Sequence, residues 1–261
     1  MRQTKYTIGV IVLLITVFAG FAEGAGRRNS RGDAPRKISA VEKSLLRSLD
    51  LAEDAKEEEI IKLLDDPKKR IFAAGLIRCR KIKAAKDKLL ELANDEGVDI
   101  FTRIAASEAL CDFQNKEWIK SMKPLVTEKR SPIARQTALR LDIAGLLARA
   151  GDFSQMDFIA GYVHDEQVNV RKSAVAALAH FHKATGKNKK KCNKAIDLLM
   201  SSANNDDAPK VRQAAVVGLE DFIKENKVLS WKYVEILEAN AESKDKALKT
   251  TCKLLLRQYK R

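Results

Sequence analysis

A chain of 261 residues, 45% hydrophobic and 32% charged, carries enough apolar surface for one large core or a row of small ones, which excludes a mainly disordered protein. Only 12 Gly and 5 Pro punctuate it, and the good helix formers dominate, so an all-β architecture is disfavoured and an all-α fold is expected. A net charge of +14 favours polyanionic neighbours without naming a ligand.

At the N-terminus, Arg2 and Lys5 precede the apolar run YTIGVIVLLITVFAGFA, and small residues follow in AEGAG. This is the three-part pattern of a secretory signal, so residues 1–24 are expected to be a signal peptide cut after Ala22 or Gly24. The alternative is an uncleaved anchor, since the 17 residues from Tyr6 to Ala22 sit at the short limit for a span. Arg27, Arg28, Arg31, Arg36 and Lys37 directly after the run oppose the positive-inside tendency in both cases. No Cys follows the run, which excludes lipid attachment there. The expected location is thus the periplasm, the exterior or the envelope, or a membrane if the signal stays uncut. Residues 25–38 read as a flexible basic lead, and Arg31-Gly32-Asp33 within it reads as a chance tripeptide. Without Arg2, Lys5 and Glu23 the remainder holds 47 basic and 34 acidic residues, so the charge belongs to the body. Export makes nucleic acid the least favoured of the polyanions.

Next come SAVEKSLLRSLD and KEEEIIKLLDD, amphipathic stretches expected to form N-terminal capping helices over residues 39–65. From there one phrase returns five times: DPKKRIFAAGLI, DIFTRIAASEAL, SPIARQTALRLD, VNVRKSAVAALA and DAPKVRQAAVVGLEDF. Aligned on Arg70, Arg103, Arg135, Arg171 and Arg212, the spacings are 33, 32, 36 and 41 residues, the period of a solenoid. Three residues after each arginine stands Ala73, Ala106, Ala138, Ala174 or Ala215, small enough to let helices approach closely. A turn further along the same face come Leu76, Leu110, Leu141, Leu178 and Leu219. Pro67, Pro132 and Pro209 each precede the arginine by three, where the first turn of a helix tolerates a missing N–H. Asp66 and Ser131 are candidate N-caps.

Each phrase is followed by a second amphipathic stretch: KAAKDKLLELAN, KEWIKSMKPLVTE, SQMDFIAGYVHD, KCNKAIDLLMSSA and SWKYVEILEANA. Short helix pairs cannot shield their own apolar faces and must stack, with polar-faced caps at the ends. The expected fold is therefore an α-solenoid of about five helix pairs over residues 66–246, closed by a capping helix in 247–261.

On these residues the chain resembles the HEAT-like repeat family, with NVRKSAVAAL and KVRQAAVVGL its nearest copies. Ala134 stands where the family pattern has Val, and Asp142 follows Leu141, so the third copy departs most. The resemblance implies a scaffold that binds a macromolecule, most simply a protein, along a face lined by the second helices. It also implies two rivals: a HEAT-like nucleic-acid binder or base-excision enzyme, and a lyase or chaperone-like HEAT protein.

The sequence holds no nucleophile elbow, HExxH, phosphate loop or GxGxxG, so neither catalysis nor a cofactor nor a small-molecule substrate is expected. Cys79, Cys111, Cys192 and Cys252 lack metal spacing and are expected to be buried thiols. His180 and His182 in HFH, two apart on a helix, point in different directions and do not share a metal with Cys192. His164 stands alone. Two basic clusters remain: Arg78, Arg80, Lys81 and Lys83, and Lys187, Lys189, Lys190 and Lys191. Both are expected in turns between first and second helices, as a rim for anionic polymer or lipid. Trp231 and Tyr233 are candidate partner anchors, whereas Trp118 spaces with Met122 and Leu125 as a core residue. The arginines themselves are expected to bridge loops to aspartates such as Asp66 or Asp99.

Overall fold

The computed structural model describes residues 38–128, 133, 136–225 and 230–259. The expected signal peptide, most of the basic lead, Arg135, Pro132 and Ser131 lie outside them. Among the described residues there are thirteen α-helices, short 3₁₀ turns and no strand, and the chain forms two compact units that divide between Ala85 and Lys86. That division falls inside the first sequence repeat, between its two helices.

In the N-terminal unit, Ser39 caps α1 (Ala40–Leu49) by accepting the Glu42 N–H at 3.1 Å. Asp50 ends that helix in the left-handed region, at φ 58°. Glu59 reaches back to the Lys56 N–H (3.2 Å) at the start of α2 (Glu57–Lys62). A 3₁₀ turn over Leu63–Asp65 leads to α3 (Arg70–Arg80), which packs on α1 and α2. Leu45, Leu46, Leu49, Ile60, Leu64, Ala73, Leu76 and Ile77 form the core. Gly75 lets α1 come close, for a Cβ there would stand 3.3 Å from Leu45 Cδ2.

The C-terminal unit has two layers. The first holds α5 (Ile100–Asp112), α7 (Thr137–Arg149), α9 (Val168–Leu178), α11 (Pro209–Glu225) and α13 (Lys246–Tyr259), each packed on the next. The second holds α4 (Lys86–Asn94), α6 (Ile119–Thr127), α8 (Met156–Ala160), α10 (Lys189–Asn205) and α12 (Ser230–Ala241). This is the all-α solenoid the repeat predicts. Ala106, Ala174 and Ala215 are buried with Leu110, Leu141, Leu178 and Leu219, while Ala138 of the divergent third copy is only half-buried. One close first-layer approach uses a residue outside the motif: a Cβ on Gly145 of α7 would stand 3.0 Å from the Ala177 Cα of α9. Helix α8 stops after five residues, short of the predicted stretch, because Gly161, a poor helix former, takes its C-cap.

Aspartates open the first-layer helices. Asp99 accepts from the Thr102 N–H (3.0 Å), Asp206 from Ala208 N–H (2.9 Å) and Asp245 from Leu248 N–H (2.8 Å). Asp66, at the head of α3 in the other unit, likewise accepts from the Lys68 N–H (2.9 Å). Asp66 and Asp99 therefore cap their own turns and do not receive the repeat arginines as expected. Arg103 donates instead to the carbonyls of Ala93 (3.1 Å) and Ser121 (3.3 Å). Arg171 grips Asp206 with two bonds, Nε to Oδ2 at 2.9 Å and Nη2 to Oδ1 at 3.1 Å, and also reaches Asp207 and the Asp165 carbonyl. Arg212 donates to the Asp206 carbonyl (2.6 Å) and to Asn240 Oδ1 (3.1 Å). Helix ends present carbonyls without partners inside the helix, and a guanidinium satisfies several at once.

Asp142 is the misfit of the first layer. Burial pushes its carboxyl up to about 6, against a hydrogen bond from Ser173, while the charge of Glu108 adds to the rise and that of Lys172 opposes it. An acid whose folded value exceeds its unfolded value of about 3.9 binds its proton more tightly in the native state. Stability should therefore decline as pH rises from about 4 through 6. Asp142→Asn is expected to flatten that decline and to stabilise the protein by about 2 kcal/mol at pH 7, read from urea midpoints at pH 4 and pH 7.

Candidate interaction surface

In the C-terminal unit the turns leading out of the first layer make one edge, and the turns leading back into it make the other. The returning turns carry Asp95, Glu96, Asp165, Glu166, Asp206 and Asp207, of which Asp95 accepts from the Gly97 N–H and Asp165 from the Gln167 N–H (2.8 Å each). The outgoing turns are richer in lysine. The outgoing turn before α8 has a capping aspartate of its own, Asp152, which accepts from the Ser154 N–H (3.0 Å), so the lysine excess of this edge rests on the turn from α9.

The outgoing turn from α9 is the longest. It runs through 3₁₀ turns at Ala179–Lys183 and Gly186–Asn188 into α10. Lys183, Lys187, Lys189 and Lys190 are exposed there. Contrary to the sequence expectation of a turn, Lys189, Lys190 and Lys191 occupy the first turn of α10. Cations at that end oppose the helix dipole by about 0.3–1 kcal/mol each, so helix stability gives no reason for them. Lys191 is half-buried and donates to the Phe153 carbonyl (2.8 Å), and Lys194 pairs with Asp157 (2.8 Å). Both tie α10 to the α8 region, as Lys123 with Asp152 (2.8 Å) ties α6 to the turn before α8. These cross-helix pairs were invisible in the sequence.

The first basic cluster belongs to the N-terminal unit and divides. Lys81 and Lys83 are exposed, whereas Arg78 is buried. Arg80 turns inward to Glu42 (2.8 Å) and to the carbonyls of Ala55 and Glu53 (2.7 Å each). Arg78 and Arg80 are thus structural, not rim residues, because α3 ends against the loop after α1.

The two candidate anchors also part. Trp231 is 57% exposed, with Lys232 Nζ 5.3 Å from the ring centroid. Tyr233 is a core residue: its hydroxyl donates to the Val216 carbonyl (3.0 Å), its ring meets Tyr259 edge-on at 5.3 Å, and burial pushes its phenol well above the ordinary range. It is therefore not a surface anchor. Residues two apart on a helix point about 200° apart. Trp118 is fully buried, as its spacing predicts, with Nε1 donating to the Asn115 carbonyl (2.9 Å).

Among the described residues no group of three His, Cys, Asp or Glu side chains could hold a metal ion, and no helix is long and apolar enough to cross a membrane. HFH lies on a 3₁₀ turn, where His182 Nδ1 sits 2.8 Å from the Ala179 carbonyl and its ring meets Phe222 edge-on. Cys252 is buried, which pushes its thiol up to about 11, while Cys79, Cys111 and Cys192 are half-buried. A shallow depression in the N-terminal unit, lined by Leu51, Glu59, Lys62, Leu63, Asp65 and Asp66, is open to solvent.

Comparison with known families matches residues 138–220, from α7 into α11, to the HEAT repeats. The matched segment contains both nearest copies of the repeated phrase. No curated protein matches the chain.

Proposed function

We propose that the chain is an exported, non-catalytic HEAT-repeat scaffold whose second-layer helices hold a protein partner and whose basic edge meets anionic envelope material. HEAT repeats commonly mediate interactions, and that match over residues 138–220 is the observation that carries the reading. The arginine and aspartate network supports it by tying consecutive repeats into a stiff support, so partner binding needs little reordering. Export rests on the Arg2/Lys5, apolar and small-residue pattern.

Cross-linking of the full chain in its native host, followed by mass spectrometry, should recover one protein partner reproducibly. Recovery of no reproducible protein partner would overturn the protein-scaffold reading. Turnover of a small molecule by the purified chain would overturn the non-catalytic reading. Fractionation of tagged protein that finds it in the cytosol with residues 1–24 intact would overturn export.

A further inference from the structure

We infer that the basic edge of the C-terminal unit docks on an anionic phospholipid surface, with Lys183, Lys187, Lys189 and Lys190 on the headgroups and Trp231 set into the interface. The inference rests on the basic edge of the preceding reading and names its ligand. Asn240 Nδ2 donates to the Ala203 carbonyl at 3.1 Å and fixes the register of α12 beside α10. Successive turns make both helices antiparallel to α11, so they run parallel to each other. Trp231 and Lys194, each nine residues before those partners, then stand level, at the same edge as the lysine cluster. Trp231 faces away from the buried stripe of Tyr233, Ile236, Leu237 and Asn240, and Lys190 faces away from that of Ala195, Ile196 and Leu199. The indole and the lysines therefore share one outward surface.

An exposed indole flanked by lysines has the chemistry of a membrane interface, where the ring settles at headgroup depth and each cation gains from the negative surface potential. A soluble polyanion would use the lysines and leave the indole idle. Nearby acids do not cancel the patch: Asp157 neutralises Lys194, and Asp197 and Glu235 lie about one turn further from the edge. On the opposite edge Asp206 and Asp207 are paired with Arg171, and Asp165 and Glu166 there are repelled by the same surface, which sets one orientation.

The test uses the full chain with vesicles of phosphatidylcholine alone or containing phosphatidylglycerol. The apolar run at residues 6–22 is present in every sample, so the readout is local: iodide quenching and the emission shift of Trp231, against the constant signal of buried Trp118. Anionic vesicles should shield Trp231 and shift its emission to the blue, and about 1 M salt, with a screening length of about 3 Å, should reverse both. The variant K187Q/K189Q/K190Q, checked for folding by circular dichroism, should need about a hundredfold more anionic lipid for the same shielding. No shielding on anionic vesicles, equal shielding on neutral ones, or shielding unchanged in the triple variant would each overturn the inference. Heparin that binds through the same lysines while vesicles leave Trp231 exposed would assign the edge to a soluble polyanion instead. Retained partner capture with no Trp231 response sinks this inference alone, and lost capture with the response intact sinks only the protein-scaffold reading.

Discussion

Asp206→Ala is expected to lower the unfolding free energy by about 2–4 kcal/mol, seen as a lower urea midpoint at constant slope. The Asp206 and Arg171 side chains are 7% and 11% exposed, and the carboxylate takes two of the guanidinium's bonds. Removing it takes two charge-assisted bonds from Arg171, which keeps Asp207 and the Asp165 and Glu166 carbonyls, and deletes the cap on α11 at the Ala208 N–H. Asp206→Asn keeps an acceptor for that cap and should cost less. The pH dependence provides a second readout. Burial opposes ionisation of Asp206, but the Arg171 hydrogen bonds, the Ala208 N–H and the Arg171 charge together hold the carboxyl below its ordinary range. A depressed acid stabilises fully above its unfolded value of about 3.9, and the contribution fades as pH falls through the folded value. Acid destabilisation below about pH 4 should therefore be weaker in Asp206→Asn than in the native chain.

Trp118→Ala is expected to cost about 3–5 kcal/mol, the range for emptying a large buried aromatic site. The indole is fully buried beside Met122 and Val126, and its N–H satisfies the Asn115 carbonyl in the turn before α6. Alanine leaves both a cavity and an unmet acceptor. Trp118→Phe, which fills most of the volume and loses only the bond, should cost about 1–2 kcal/mol. Fluorescence separates this from a surface effect, since Trp118→Ala leaves only the emission of exposed Trp231. Destabilisation below about 1 kcal/mol would mean that the second layer closes over the gap.

The two substitutions differ in how far their sites were legible. Trp118, Met122 and Leu125 repeat at helical spacing, so burial followed from the sequence. The same reasoning was available for Tyr233, which spaces with Ile236, Leu237 and Asn240. Two positions from Trp231 on the same helix, Tyr233 faces about 200° away from it, so the two aromatic residues do not act as a pair. Asp206 was legible as a turn residue but not as the partner of Arg171, 35 positions away. Arg78 and Arg80 looked like part of a charge run, and only the fold of α3 against the loop after α1 turned them inward.

The sequence by itself determined the all-α solenoid, the buried leucine of every copy and the buried alanine of every copy but the third, because a 3.6-residue period and small side chains act within a single helix. It also determined where the lysines and the aspartates stand along the chain. Only the tertiary structure decided which of those charges are satisfied inside the protein and which remain on its surface. That outcome depends on the register between helices about 30 to 40 residues apart, and register is set by the packing of whole layers, as at Gly145 on Ala177, rather than by any local pattern.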